Sequence, residues 1–177
     1  MALSQMVGRV MKKFLLTPRV RKLNWEQLRN GALVSATRFD EMVAGAPESA
    51  ADISTAGHQS LKDMVAHLAA ANRSIAAKLE ALRAGQSSAI EAGDLFPGAG
   101  AWSLAEARAD HAKSLRRIAE ATIHPIQSPT VSEHEFFGPL TATEWLALVA
   151  FHHEYHARQA NRVMRSPEYK EAQGAKW

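Results

Sequence analysis

The chain has 177 residues, 46% of them hydrophobic, and a formal net charge of +3. That length suits one domain with a sizeable core, and the lack of cysteine excludes disulfides, thiolate-ligated zinc and a cysteine nucleophile on the chain. The charge is uneven: residues 1–22 hold Arg9, Lys12, Lys13, Arg19, Arg21 and Lys22 and no acid, so they carry +6 and the remainder −3. The basic excess is thus an N-terminal arm, and no nucleic-acid partner is expected, because no basic stripe interleaved with aromatics is present. No apolar run approaches the roughly 18 residues of a membrane span. The N-terminus also lacks an apolar secretory segment followed by a small-residue cleavage site, so cytoplasmic residence is the expectation.

Leu3, Met6, Val7, Val10, Met11 and Phe14 recur at helical spacing, with Arg9, Lys12 and Lys13 away from them. This predicts a short basic amphipathic helix that Pro18 ends. Peripheral membrane contact is one use of such a helix. An extra helix laid on the domain, or a dimer contact, is the favoured one, since the stretch is short and has no tryptophan anchor. The arm is read as 1–22, the main domain as 23–166, and the tail 167–177 as polar and partly mobile.

Asn24 with Gln27 three residues later reads as a capping box. Behind it Trp25, Leu28, Ala32, Ser35, Phe39 and Met42 form the seam of a bundle helix. Residues 44–57 read as a loop. Ser60, paired with Asp63, caps a further helix whose stripe is Leu61, Met64, Val65, Leu68, Ala71, Ile75, Leu79 and Leu82, with His67 beside it and Gly85 as its stop. Residues 86–101, including Phe-Pro-Gly-Ala-Gly at 96–100, form a connection long enough to wall a site, with a helical turn expected near 89–92. Ser103 and Glu106 open the next helix, which places Leu104, Ala107, His111, Leu115 and Ile118 on one face. Residues 126–139 form a second irregular connection, and Phe136 and Phe137 should fold it back onto the bundle. Thr141 with Glu144 caps the last long helix, which Ser166-Pro167 stops. No strand is predicted. Four long helices give an all-α, four-helix bundle with long crossover-type connections and an extra short N-terminal amphipathic helix.

The last helix contains HHEYHARQ at 152–159. His152 and His156 are four apart and so share a face. His67, His111 and His153 also lie on or beside apolar stripes, and bundles build metal sites from inward side chains on facing helices. Neutral imidazole is a common metal ligand. The zinc-protease pattern His-Glu-x-x-His is absent, because His153 stands where its glutamate would be.

SLKDMVAHLAAANRS at 60–74 resembles the second helix of the DinB/YfiT-like superfamily, which reads Ser-x-x-(Asp/Glu)-x-x-x-His-Leu. HHEYHARQ is similar to its last helix, commonly His-x-x-x-His-x-x-Gln, and FFGPLTATEWLALV at 136–149 resembles the lead-in of an uncharacterised branch. The resemblance spans roughly residues 24–165, the length of such a bundle. It implies His67, His152 and His156 as ligands of a divalent ion, zinc or nickel. His111 stands as a fourth ligand or a supporting partner, His153 as a neighbour that lines the pocket or is satisfied by backbone, and Gln159 as a residue that orients an imidazole or a bound water. It further implies a metal-dependent transferase or hydrolase acting on a small molecule, with a low-molecular-weight thiol drawn from solution. The alternative is a non-catalytic binding or stress-related module with a structural ion closed by His111, since closed four-ligand sites are structural and open ones catalytic. Related bundles often dimerise, so a homodimer is a further expectation.

Overall fold

The computed structural model describes residues 3–55, 59–90 and 102–174. Its elements in order are α1 (Leu3–Leu15), α2 (Thr17–Lys22), α3 (Trp25–Val43), α4 (Glu48–Ala51), α5 (Leu61–Arg83), α6 (Leu104–Ala121), the strands β1 (Ser132–His134) and β2 (Gly138–Leu140), α7 (Ala142–Met164) and α8 (Pro167–Gly174). The long helices α3, α5, α6 and α7 form the bundle. Each starts at a side-chain cap read from the sequence. Asn24 accepts from Gln27 N–H, Ser60 from Asp63, Ser103 from Glu106 and Thr141 from Glu144. Such caps satisfy amide donors that the first helical turn leaves unpaired.

Neighbouring pairs fix the directions. Arg73 meets Asp110 and Glu80 meets Arg117, so α5 and α6 run parallel. Asp40 meets Arg108 and Arg29 reaches the Ala119 carbonyl, so α3 is antiparallel to α6. His67 meets His152 and Lys78 lies over Trp145, so α7 is antiparallel to α5. The order is therefore up, down, down, up. Parallel neighbours need a connection that returns the length of the bundle, so the chain between Arg83 and Leu104 cannot be a tight turn. Around the ring α3 packs on α7, α7 on α5, α5 on α6 and α6 on α3, which leaves α6 and α7 diagonal.

Two apolar clusters fill the bundle. One joins Leu28, Ala32, Ile75, Leu79, Ile118, Trp145 and Val149. The other joins Phe39, Val43, Leu61, Met64, Leu68, Ala107 and Val163. Between them, at mid-height, lie His67, His111, His152, His153 and His156. The helical periodicities that built both clusters carry these histidines inward with them.

Several expectations need correction. Pro18 does not end the N-terminal helix. It sits in the first turn of α2, where proline's fixed φ and missing N–H are tolerated. The α3 stripe drifts: Ala36 and Val43 are buried where Ser35 and Met42 were expected. The 44–57 loop contains the short α4. The connection read as irregular over 126–139 holds a two-stranded antiparallel ladder that runs on to Leu140, pairing Ser132 with Leu140 and His134 with Gly138, and Gly138 turns with φ 73°. The tail is helical to Gly174, pinned by Tyr169, which is 2% exposed. The turn expected near 89–92 and the 96–100 segment fall largely or wholly outside the described residues.

Candidate metal centre

α5 contributes His67 and α7 contributes His152 and His156. Ser60 and Thr141 fix where the two helices start. Because α5 and α7 are antiparallel, His67 comes level with the His152–His156 turn. The Nε2 atoms of His67 and His152 are 3.1 Å apart, as are those of His152 and His156. All three ligand atoms lie within 4.8 Å of one another, and among the described residues this is the one group of three or more His, Cys, Asp or Glu side chains so arranged.

Three observations bear on whether these residues fit an ion. Imidazole nitrogens held at about 2.0–2.1 Å from a tetrahedral ion stand about 3.3 Å apart, close to the spacing seen. Burial holds all three rings neutral. It lowers the pKa of His67, pushes His152 well below the ordinary value with help from the neighbouring His156, and brings His156 down to about 4. Neutral imidazole is the metal-binding form. Finally, His156 Nδ1 and Gln159 Oε1 are both buried without a hydrogen bond. The Gln159 amide donates to the Tyr155 hydroxyl at 3.1 Å, and its side chain still favours a proton on His156. A hydrogen bond from His156 Nδ1–H to that amide oxygen would satisfy both atoms and leave the Nε2 lone pair directed at the cluster.

The other two histidines form a separate pair. His111 and His153 face each other across the bundle centre, Nε2 to Nε2 at 3.0 Å, and both are fully buried. His153 Nδ1 donates to the Val149 carbonyl at 2.8 Å, so the neutral ring accepts at Nε2 from the His111 Nε2–H. Burial lowers His111 to about 4 and His153 to about 3. His111 Nδ1 is left unpartnered, 4.0 Å from an Asp40 oxygen that Arg108 already engages. His111 thus stands outside the three-histidine group, with its Nε2 turned to His153. Its helical phase is inward, but it meets the diagonal helix one residue away from His152. His153 is satisfied by backbone and does not line the cavity. Glu154 points out and pairs with Arg19 at 2.5 Å.

A cavity of about 380 Å³ opens on His67 and His152. Its walls are mainly Ile75, Phe137, Trp145, Leu148, Phe151 and Tyr155, and Met11 from α1 adds to them. His134 and Glu135 of the hairpin also face it. Sequence reasoning missed His134. Its Nδ1 accepts from the N–H groups of Phe136 and Phe137 at 3.0 and 3.3 Å, so the neutral ring carries its hydrogen on Nε2. The ring packs 4.9 Å from Phe137 and 5.4 Å from Trp145. The hairpin itself is anchored by Lys78, whose Nζ donates to the carbonyls of Ser88 and Glu133.

Fold and cluster together define a four-helix bundle with an inward three-histidine group able to hold a metal ion. The DinB superfamily model matches residues 34–160, and the chain belongs to that superfamily. No match to this chain was found among curated proteins or among solved structures.

Proposed function

We propose that the protein is a metal-dependent enzyme in which His67, His152 and His156 hold a divalent ion, zinc or nickel, with one coordination position open to the cavity. The observation that carries this reading is the meeting of three neutral Nε2 atoms at the edge of an apolar cavity. Among the described residues no fourth histidine or carboxylate closes the group. A divalent ion so held lowers the pKa of a water or thiol bound beside it and so supplies a nucleophile near neutral pH.

The remaining roles belong to the chain. Gln159 orients His156. Trp145, Phe137, Phe151 and Leu148 exclude water and receive the apolar part of a small-molecule substrate. His134 and Glu135 add polar groups to the cavity wall. The chain has no cysteine, so a thiol cosubstrate would come from solution, which favours a thiol-dependent transferase or a hydrolase. A closed structural ion is the weaker reading, because His111 is engaged with His153.

The test is metal analysis of the purified protein beside His67→Ala and His152→Ala, followed by cobalt substitution and titration with 2-mercaptoethanol. Near-stoichiometric metal in the wild type, its loss in both variants, and a sulfur-to-cobalt absorption band on adding thiol are the expected results. Equal metal content in all three proteins would sink the reading.

A further inference from the structure

The N-terminal helix α1 presents two stripes, and they are the reverse of an ordinary surface helix. Gly8, Lys12 and Leu16 face the bundle. A Cβ on Gly8 would lie 1.7 Å from the Phe136 carbonyl oxygen, Lys12 donates to the Pro139 carbonyl at 2.7 Å and pairs with Glu144 at 3.0 Å, and Leu16 is fully buried. Val7, Val10, Met11 and Phe14 form the other stripe at i, i+3, i+4 and i+7, and they are 45, 51, 38 and 69% exposed. The apolar face expected to rest on the domain therefore points outward. Lys13, Arg21 and Lys22 are exposed beside it, and with Phe14, Thr17 and Pro18 they line one shallow depression. Residues 1–22 contain no acid. Glu144 and Glu154 already engage Lys12 and Arg19, so the outward surface combines apolar groups with cations.

We propose that this surface docks on an anionic lipid bilayer. Aliphatic and phenyl groups flanked by lysine and arginine suit the membrane interface, where the apolar groups reach the acyl boundary and the cations meet anionic headgroups. A second copy of the chain would set like charges against each other. A nucleic acid offers phosphates but nothing against which to bury Val7, Val10 and Phe14. No described helix is long and apolar enough to cross a membrane, so the contact is peripheral. Met11 also lines the metal-side cavity, and docking therefore brings the mouth of that cavity to the bilayer surface. The inference does not depend on the ion.

The test is vesicle flotation of the full chain with phosphatidylcholine alone and with phosphatidylcholine mixed with phosphatidylglycerol. Three exposed cations correspond to a preference on the order of 100-fold for the anionic vesicles. Val10→Glu with Phe14→Glu, and separately Lys13→Glu with Lys22→Glu, should each weaken binding at least about tenfold. All four side chains are exposed or nearly so, so helical content and thermal midpoint should hold. A wild type that floats with neither vesicle overturns the proposal, as does binding that neither double variant changes. It is equally overturned if sedimentation reveals a dimer that the Val10, Phe14 pair of substitutions dissociates.

Discussion

His111→Leu separates the two histidine groups. His111 is fully buried, donates to His153 at 3.0 Å, and has an unpartnered Nδ1 facing Asp40. Leucine removes the donor and leaves His153 Nε2 buried and unpaired, which costs about 1–3 kcal/mol. It also removes the unpaired Nδ1, which offsets part of that, so a loss of about 1–2 kcal/mol at pH 7.5 is expected. Acid changes the comparison. Both rings have folded pKa values below the ordinary 6.5, about 4 for His111 and about 3 for His153. Their contribution is therefore full above pH 6.5 and is lost as pH falls, because the unfolded chain takes up protons first. Between pH 7.5 and 5 each ring forfeits about 2 kcal/mol. The variant forfeits this for one ring and the wild type for two, while the triad histidines cancel in the difference. Urea unfolding with chelator present should show a gap of about 1–2 kcal/mol at pH 7.5 shrinking towards zero at pH 5. Zinc affinity at pH 7.5, measured without chelator, should stay unchanged. A gap that widens in acid refutes the tautomer argument, and a tenfold loss of zinc affinity places His111 at the ion.

Gln159→Leu should weaken zinc binding about 10–100-fold without altering stoichiometry, as read by competition with a chromogenic chelator. If affinity does not move, the amide does not orient His156. Gly8→Val should lift α1 off the hairpin, because the clash is with backbone. Faster amide exchange over residues 3–22 with unchanged exchange in α5 and α7 is expected, and unchanged exchange in α1 would contradict the contact. Added zinc should raise the wild-type thermal midpoint in proportion to the logarithm of free metal and leave His152→Ala unmoved.

Much of the fold was legible because its determinants are local. The boxes at Asn24, Ser103 and Thr141 and the cap at Ser60 each mark a helix start, and apolar spacing gives the inward face. The inward phase of five histidines was legible for the same reason, and the resemblance to the superfamily singled out His67, His152 and His156, the three that lie together in the fold. His111 shows the limit of phase. It tells that a side chain points inward but not which helix it meets, and that depends on α5 and α6 being parallel, which phase does not give. His134 was out of reach because it sits in a three-residue strand, too short for alternation to register. Pro18 is ambiguous by nature, since a proline is as well suited to the first turn of a helix, where it sits in α2, as to the end of one. The tail was read as polar because a single buried ring, Tyr169, organises α8, and one ring makes no pattern.

The central claim is an ion held by three imidazoles with one open position. X-ray absorption at the zinc edge of the loaded protein, with and without added thiol, tests it most directly. Three nitrogen scatterers at about 2.0–2.1 Å are expected, with a light fourth scatterer that thiol replaces by sulfur at about 2.3 Å. Four nitrogen scatterers from histidine, unchanged by thiol, would contradict the account.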